Sequence, residues 1–365
     1  MKTKMIVAGL HARPVRTAVT VLAVALEVLL ILVVIGLTTG ITNETARRTE
    51  GVGAEIMVQP ADSSVILALS ENSMPIAIGD RLRSLPGVKT VAPVQLKMSV
   101  QGGIEVIYGI DANFSELTGG FLWHQGRMFN APDEIVVDDL WAKAKSANVG
   151  NRVELLNHNF KVTGIVEHGQ GARVFISMDG LSALTGQKGR VGVFYVKVKD
   201  PDHVQAAIAE VEELLPGYTV RDVKDLESLM TSSNIPGLGA FINAVVIIAL
   251  CVGILVIFLS MYTTITERTR EIGILRSLGA SKRFIIGLIF QETVMICILG
   301  VAVGTISSFL LQRILKDLFP TLFIEITGWW MVRAAIFALV SGIVGSFYPS
   351  LKAARQDPVD AFAYE

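Results

Sequence analysis

The chain has 365 residues, of which 51% are hydrophobic and only 18% charged, with a mean hydropathy of +0.54. Soluble domains average about 25% charged residues, so the composition excludes a cytosolic enzyme and a disordered chain, and a formal net charge of −1 excludes a strongly basic nucleic-acid binder. The charges are unevenly spread: residues 41–239 hold 18 Lys+Arg and 24 Asp+Glu, while the remainder holds 14 and 9. An acidic soluble-type domain is therefore expected inside a membrane part with basic flanks.

In chain order, residues 1–40 combine a short basic N-terminus with a first apolar run at 17–39. A hydrocarbon core takes about 20 helical residues to cross, and this run carries a single charge, Glu27. It is longer than a signal-peptide core, and no small-x-small cleavage site follows Thr38-Thr39-Gly40, so a retained anchor is expected.

Residues 41–239 read as an α+β domain inserted between spans one and two. Val94, Leu96, Met98 and Val100 alternate with polar residues, and Ile104, Val106, Tyr108 and Ile110 alternate again after Gln101-Gly102-Gly103, predicting a hairpin. A second hairpin is expected over 152–166 around Asn157-His158-Asn159. Val204, Ile208, Val211 and Leu215 have helical spacing, with Asp200 as N-cap and Pro201 at the first helical position. The stretch from Leu85-Pro86-Gly87 to Val91 echoes the one from Leu215-Pro216-Gly217 to Val220, each after a helix-like segment. That echo predicts two strand–helix–strand units flanking a β-rich insertion at about 115–190, although helix-Pro-Gly-strand is also a common local solution. Residues 63–74 suit either an external tip or an extra helix. The only cysteines, Cys251 and Cys297, lie in later apolar runs, so the domain is expected to hold together without a disulfide.

Three further spans follow at 240–262, 284–311 and 331–348, separated by a loop at 263–283 and a short outer loop at 312–330, with a tail at 349–365. The first of these has no charge, the second only Glu292 and the third only Arg333, just after the interfacial pair Trp329-Trp330. Lys2, Lys4, Arg13, Arg16, Arg268, Arg270, Arg276, Lys282, Arg283, Lys352 and Arg355 fall on one side, against Arg313 and Lys316 on the other. Both termini and the 263–283 loop are therefore expected in the cytoplasm, and the inserted domain outside.

No phosphate-binding loop, zinc-protease helix or serine nucleophile elbow is present. The five histidines are dispersed, so neither a catalytic centre nor a metal site is expected. The informative segment is the 263–283 loop. Thr264 and Glu267 have capping-box spacing, and Ile274, Leu275 and Leu278 share one helical face a turn or two after Glu267, Arg268, Arg270 and Glu271. Gly279 suits a helix C-cap and Ser281 the next N-cap. Such a helix either lies on anionic lipid or acts as a lever docked to a cytoplasmic partner. In span three, Gly300 and Gly304 have the small-xxx-small spacing of close helix packing. Glu292 is expected to pack against another helix or cap polar groups. Glu27 is expected to be protonated and hydrogen-bonded between helices, or else to contact a lipidic substrate or a dimer partner.

Residues 266–281, through Arg270-Glu271-Ile272-Gly273-Ile274-Leu275-Arg276-Ser277-Leu278-Gly279, resemble the coupling loop of MacB/FtsX-type ABC transporter permeases. The resemblance continues through Gln291-Glu292 and Gly300 to Gly304, and through Tyr348-Pro349, Lys352-Ala353-Ala354-Arg355, Asp357-Pro358, Ala361 and Tyr364-Glu365. Arg16-Thr17 and Thr20 also fit. It implies a four-span mechanotransmission (type VII) permease in the bacterial inner membrane, paired with a second permease copy in a homodimer or with a different permease in a heterodimer. ATP and Mg are expected on a partner ABC ATPase subunit, and no cofactor on this chain. MacB carries a fused ATPase ahead of its first span; with about 16 residues ahead of span one here, a separate ATPase is expected. In a cell with two membranes, a periplasmic adaptor and an outer-membrane channel are further implied partners. The function implied is ATP-driven export or extraction, with an FtsX-like transducer that activates an extracytoplasmic cell-wall hydrolase as the alternative.

Overall fold

Backbone amides in hydrocarbon must be paired within the segment itself, so long apolar stretches fold as helices. The computed structural model describes residues 14–61, 63, 72–99, 105–225 and 237–356. It contains four helices long and apolar enough to cross a membrane, among the described residues. Span one is Pro14–Glu50, span two Leu238–Glu267, span three Lys282–Leu318 and span four Gly328–Arg355. Each runs past the apolar stretch that predicts it, because the helical hydrogen-bond ladder continues where the hydropathy falls. A short helix, Thr269–Ser277, joins spans two and three.

The chain divides into two compact units, one made of residues 1–39, 237–317 and 324–365, the other of 40–236 and 318–323. In the first, Val24, Ile31 and Ile35 of span one pack with Ile257, Met261 and Ile265 of span two, Ile289 and Ile296 of span three, and Ala334 and Ala338 of span four. Span four turns a row of small residues inward: Ala334, Ala338, Ser341, Gly342, Gly345 and Ser346 are all buried. Without a hydrophobic driving force inside lipid, close backbone approach is what such residues provide.

The second unit is built on strands β1 (Ile56–Pro60), β2 (Met74–Pro75), β3 (Val88–Ser99), β4 (Glu105–Ile110), β5 (Trp123–Gly126) and β6 (Glu134–Asp138). The later strands are β7 (Arg152–Leu155), β8 (His158–Val166), β9 (Val174–Ser177), β10 (Arg190–Val191), β11 (Val193–Val198) and β12 (Tyr218–Asp222). The main sheet has the order β12-β1-β11-β3-β4-β9-β6-β8-β5, with β7 on β8, and β2 pairs with β10 separately. Its β12-β1-β11-β3 half is antiparallel, and the helices Ile78–Arg83 and Val204–Leu214 bury Leu82 and Val211 in one apolar cluster. The other half mixes antiparallel pairs with the parallel pairs β4–β9 and β6–β8.

The first predicted hairpin forms in the register Val94↔Ile110 to Ser99↔Glu105, with its turn at 100–104 outside the described residues. The second is displaced from its expected centre. Leu155 pairs with His158, so the turn is Leu156-Asn157, both with positive φ (53° and 59°), and His158 already belongs to the strand. A two-residue hairpin loop with the strand's own twist needs that backbone. Asp200 caps a single 3₁₀ turn, Pro201–His203, by accepting from the Asp202 amide at 3.1 Å, before the α-helix proper begins. Most of segment 63–74 lies outside the described residues, although its last residue, Met74, starts β2.

Candidate coupling site

The segment between spans two and three is held by its ends. Span two continues to Glu267 because Met261, Thr264 and Ile265 keep facing the bundle interior at helical spacing. The expected capping box is therefore absent: Thr264 lies inside that helix and donates to Ser260 O at 2.6 Å, and the connecting helix starts after Arg268 with no side-chain cap. Its C-terminus closes as the sequence predicts. Gly279 has φ +93°, its amide bonds to Arg276 O at 3.0 Å, and the Ala280 amide bonds to Leu275 O at 3.0 Å, the two bonds of a Schellman motif. Ser281 Oγ then accepts from the Phe284 amide at 3.2 Å and caps span three.

The predicted residues separate into two sets. Ile272 and Gly273 are buried, Leu275 packs against the bundle core, and Arg276 donates to the Gln356 carbonyl at the end of span four. Arg268 also turns inward, 3.2 Å from Glu292 Oε2 on span three and 3.8 Å from Glu271. With Glu292 buried and Arg268 half-buried, the pair leaves the guanidinium little freedom to reach anything outside the chain. Arg270, Glu271, Ile274, Leu278 and Gly279 face outward, with Leu278 at 79% exposure. Glu267 is exposed and bonded to Arg16 of span one at 2.8 Å. Gln291 is exposed beside the buried Glu292. Two further ties escape sequence reasoning. Lys352 donates to the Tyr262 hydroxyl at 2.7 Å while lying over its ring, and Thr20 meets Ser260 at 2.5 Å. Neither pairing has a sequence signal, because the partners are remote in the chain.

These features coincide with the regions that comparison recognises. The family model of the FtsX-like permease C-terminal region matches residues 243–358, and that of the MacB-like periplasmic core domain matches 17–214, more than half of the chain. The chain belongs to the MacB/FtsX-type permease family. The macrolide export ATP-binding/permease protein MacB of Hahella chejuensis is 30% identical over 205 residues, which cover 54% of this chain and 31% of that one. The MacB of a Shewanella strain is 25% identical over 391 residues, 99% of this chain and 60% of its own. The chain thus spans a third to three fifths of these relatives. Among solved structures, the periplasmic region of MacB from Actinobacillus actinomycetemcomitans is similar over 50% of this chain and 94% of its own, at 16% identity and a TM-score of 0.39.

Within this permease bundle, the remaining predicted residues lie at helix contacts. A Cβ on Gly300 would come 2.5 Å from Val24 Cβ, and one on Gly304 would come 2.7 Å from the Ala25 carbonyl oxygen, so both lie against span one. Glu27 is buried, with Ser341 of span four 3.1 Å from its Oε2, and a Cβ on Gly253 of span two would collide with its carboxyl. Ser341 and Gly253 line the Glu27 carboxyl and were not singled out from sequence. The small-residue row of span four is the signal that points to Ser341.

The inserted domain holds its own polar cluster. Arg173 lies 3.3 Å from Asp138 and 3.9 Å from Glu44, and Arg48 lies 3.7 Å from Glu44. Arg173 also donates to Thr321 O at 3.3 Å and stacks over Phe323 at 5.5 Å. Asp138 caps the helix Asp139–Lys145 by accepting from the Trp141 amide at 2.6 Å. Burial pushes its carboxyl up to about 6, against the pull of Arg173.

Proposed function

We propose that this chain is the membrane subunit of an ATP-driven exporter or extractor, coupled through the Thr269–Ser277 helix to an ABC ATPase subunit that binds ATP and Mg. The observation that carries this reading is a helix anchored on one side and bare on the other. Arg268, Ile272, Leu275 and Arg276 fix it to the spans, while Arg270, Glu271, Ile274 and Leu278 face outward. Exposed Ile274 and Leu278, at 42% and 79%, beside a charged rim suit an apolar socket on a protein partner. Closure of a partner pair would pull this helix and, through the Arg268–Glu292 pair and the Schellman turn, move spans two and three together. In this scheme substrate is handled by the extracytoplasmic domain and not threaded through the bundle.

On this reading both termini are cytoplasmic, the inserted domain lies beyond the inner membrane, and a second permease copy completes the unit. An adaptor and an outer-membrane channel join it in a two-membrane cell. The MacB relatives named for macrolide export favour small amphipathic cargo, within the family's range of peptides, antibiotics, glycolipids and lipoproteins. The alternative, an FtsX-like transducer acting on a cell-wall hydrolase, would use the same lever. The match of the MacB-like core domain to residues 17–214 favours the exporter.

The test is gentle purification of the tagged chain from its own membranes, with identification of co-purifying proteins and an ATPase assay, beside a Glu271→Lys, Leu278→Asp double variant. A stoichiometric ATPase lost in the variant is the expected result. An intact wild-type chain that brings down no ATPase would refute the reading. Release of cargo outside, set against activation of a hydrolase, separates exporter from transducer.

A further inference from the structure

Among the described residues of the unit made of the spans, two carboxyls are buried, Glu27 and Glu292, and their surroundings differ in kind. Glu292 faces the Arg268 guanidinium at 3.2 Å. Glu27 is 5% exposed and has no cation among its described partners; its Oε1 is buried without a hydrogen bond, and its Oε2 meets only the Ser341 hydroxyl. Span two presents Gly253 to this carboxyl and span four presents Ser341; from span three the titratable group within electrostatic reach is the thiol of Cys297.

The hydroxyl decides the protonation state. Ser341 Oγ lies 3.1 Å from Glu27 Oε2 and 3.0 Å from the Ala338 carbonyl oxygen, yet a serine has one proton to donate. If Glu27 were ionised, that proton would serve two acceptors and the charge would sit in hydrocarbon with half a partner, which is costly. If Glu27 is neutral, its Oε2–H donates to Ser341 Oγ and Ser341 donates on to Ala338, so every close contact is a hydrogen bond. Ser341 is fully buried, which removes water as an alternative acceptor. Gly253 supplies the space: any side chain there would displace the carboxyl from the hydroxyl.

We propose that Glu27, Ser341 and Gly253 form a proton-binding site inside the bundle, loaded when spans one, two and four pack as they do here. The bound ligand is a proton, and the site needs no transported cargo or ATPase partner, so it stands apart from the transport reading. The linkage runs both ways. Proton occupancy favours this packing, and any motion that parts span one from span four strips the carboxyl of its acceptor and favours proton release.

The test is infrared difference spectroscopy of the full chain in lipid at neutral pH, subtracting Glu27→Gln from wild type. The expected result is loss of a protonated-carboxyl C=O band with Glu27→Gln. Should Glu27→Gln fail to fold, Ser341→Ala serves: removing the acceptor shifts the protonated C=O band to higher frequency. A carboxylate band lost with Glu27→Gln, or a wild-type spectrum in which Ser341→Ala moves only carboxylate bands, overturns the proposal.

Discussion

At the scale of single residues, the chain contrasts two ways of burying a charge. Arg268 and Glu292 face each other at 3.2 Å with side chains 17% and 10% exposed, so removing Arg268 takes from Glu292 the cation it faces. Arg268→Met is expected to destabilise the full chain by about 3–5 kcal/mol, whereas the paired Arg268→Met, Glu292→Leu change recovers most of the loss; thermal unfolding in detergent of the single and double variants checks this. Asp138 is the opposite case, a carboxyl raised from 3.8 to about 6 by burial. It keeps its proton longer in the folded domain than in the unfolded chain, so its contribution to stability is complete below pH ~4 and is lost as pH rises through about 6. Asp138→Asn keeps the N-cap and should flatten that part of the stability profile, read as midpoint against pH. A profile unchanged from wild type would show that Asp138 titrates in its ordinary range. Sequence reasoning picked out Glu292 and Arg268 but gave them separate roles, because 24 residues of chain separate them and only the turn of the connecting helix closes the distance.

At the scale of elements, the echo of Leu85-Pro86-Gly87 in Leu215-Pro216-Gly217 hides a difference in backbone. Gly217 has φ +90°, a region costly for any residue with a Cβ, while Gly87 does not fall among the positive-φ glycines. Gly217→Ala should cost about 1–2 kcal/mol. Gly87→Ala, whose Cβ would meet Ala207 and Glu210 at an ordinary 3.9 Å, should be neutral or stabilising by up to about 1 kcal/mol. Equal losses at both sites would mean the two turns are equivalent after all. The same limit applies to the 152–166 hairpin: alternation announces the strands, but whether Leu156-Asn157 or Asn157-His158-Asn159 makes the turn is a matter of register, set by which partners face the core. Helix packing behaves likewise. Gly304→Val should lower the unfolding midpoint of the bundle by several degrees, since its side chain would press on the Ala25 carbonyl and neither backbone can yield.

At the scale of the whole molecule, the division of labour follows from solvent. Unit boundaries at 39–40 and 236–237 separate helices that satisfy their own backbone from a sheet that needs partners of remote sequence. The domain contains no cysteine, and the chain's two thiols, Cys251 and Cys297, are free. Reductant is therefore expected to leave the unfolding midpoint unchanged. In detergent a maleimide should modify exposed Cys251 while buried Cys297 reacts only after denaturation, as counted by intact mass. Two adducts on the folded chain would contradict the packing of span three beneath Gly342.

Hydropathy alone determined the four spans, and alternation with turn residues determined the strands of the two hairpins, β3–β4 and β7–β8, because both signals are local and every residue reports its own solvent. The motif between spans two and three was legible for the same reason: its capping glycine and serine act within a few residues. Which face of that helix stays bare, that Arg268 belongs to Glu292, and that Glu27 meets Ser341 over Gly253 were decided only by tertiary structure. Those pairings join positions up to 314 residues apart, and nothing in either member's sequence neighbourhood encodes where the other will come to rest.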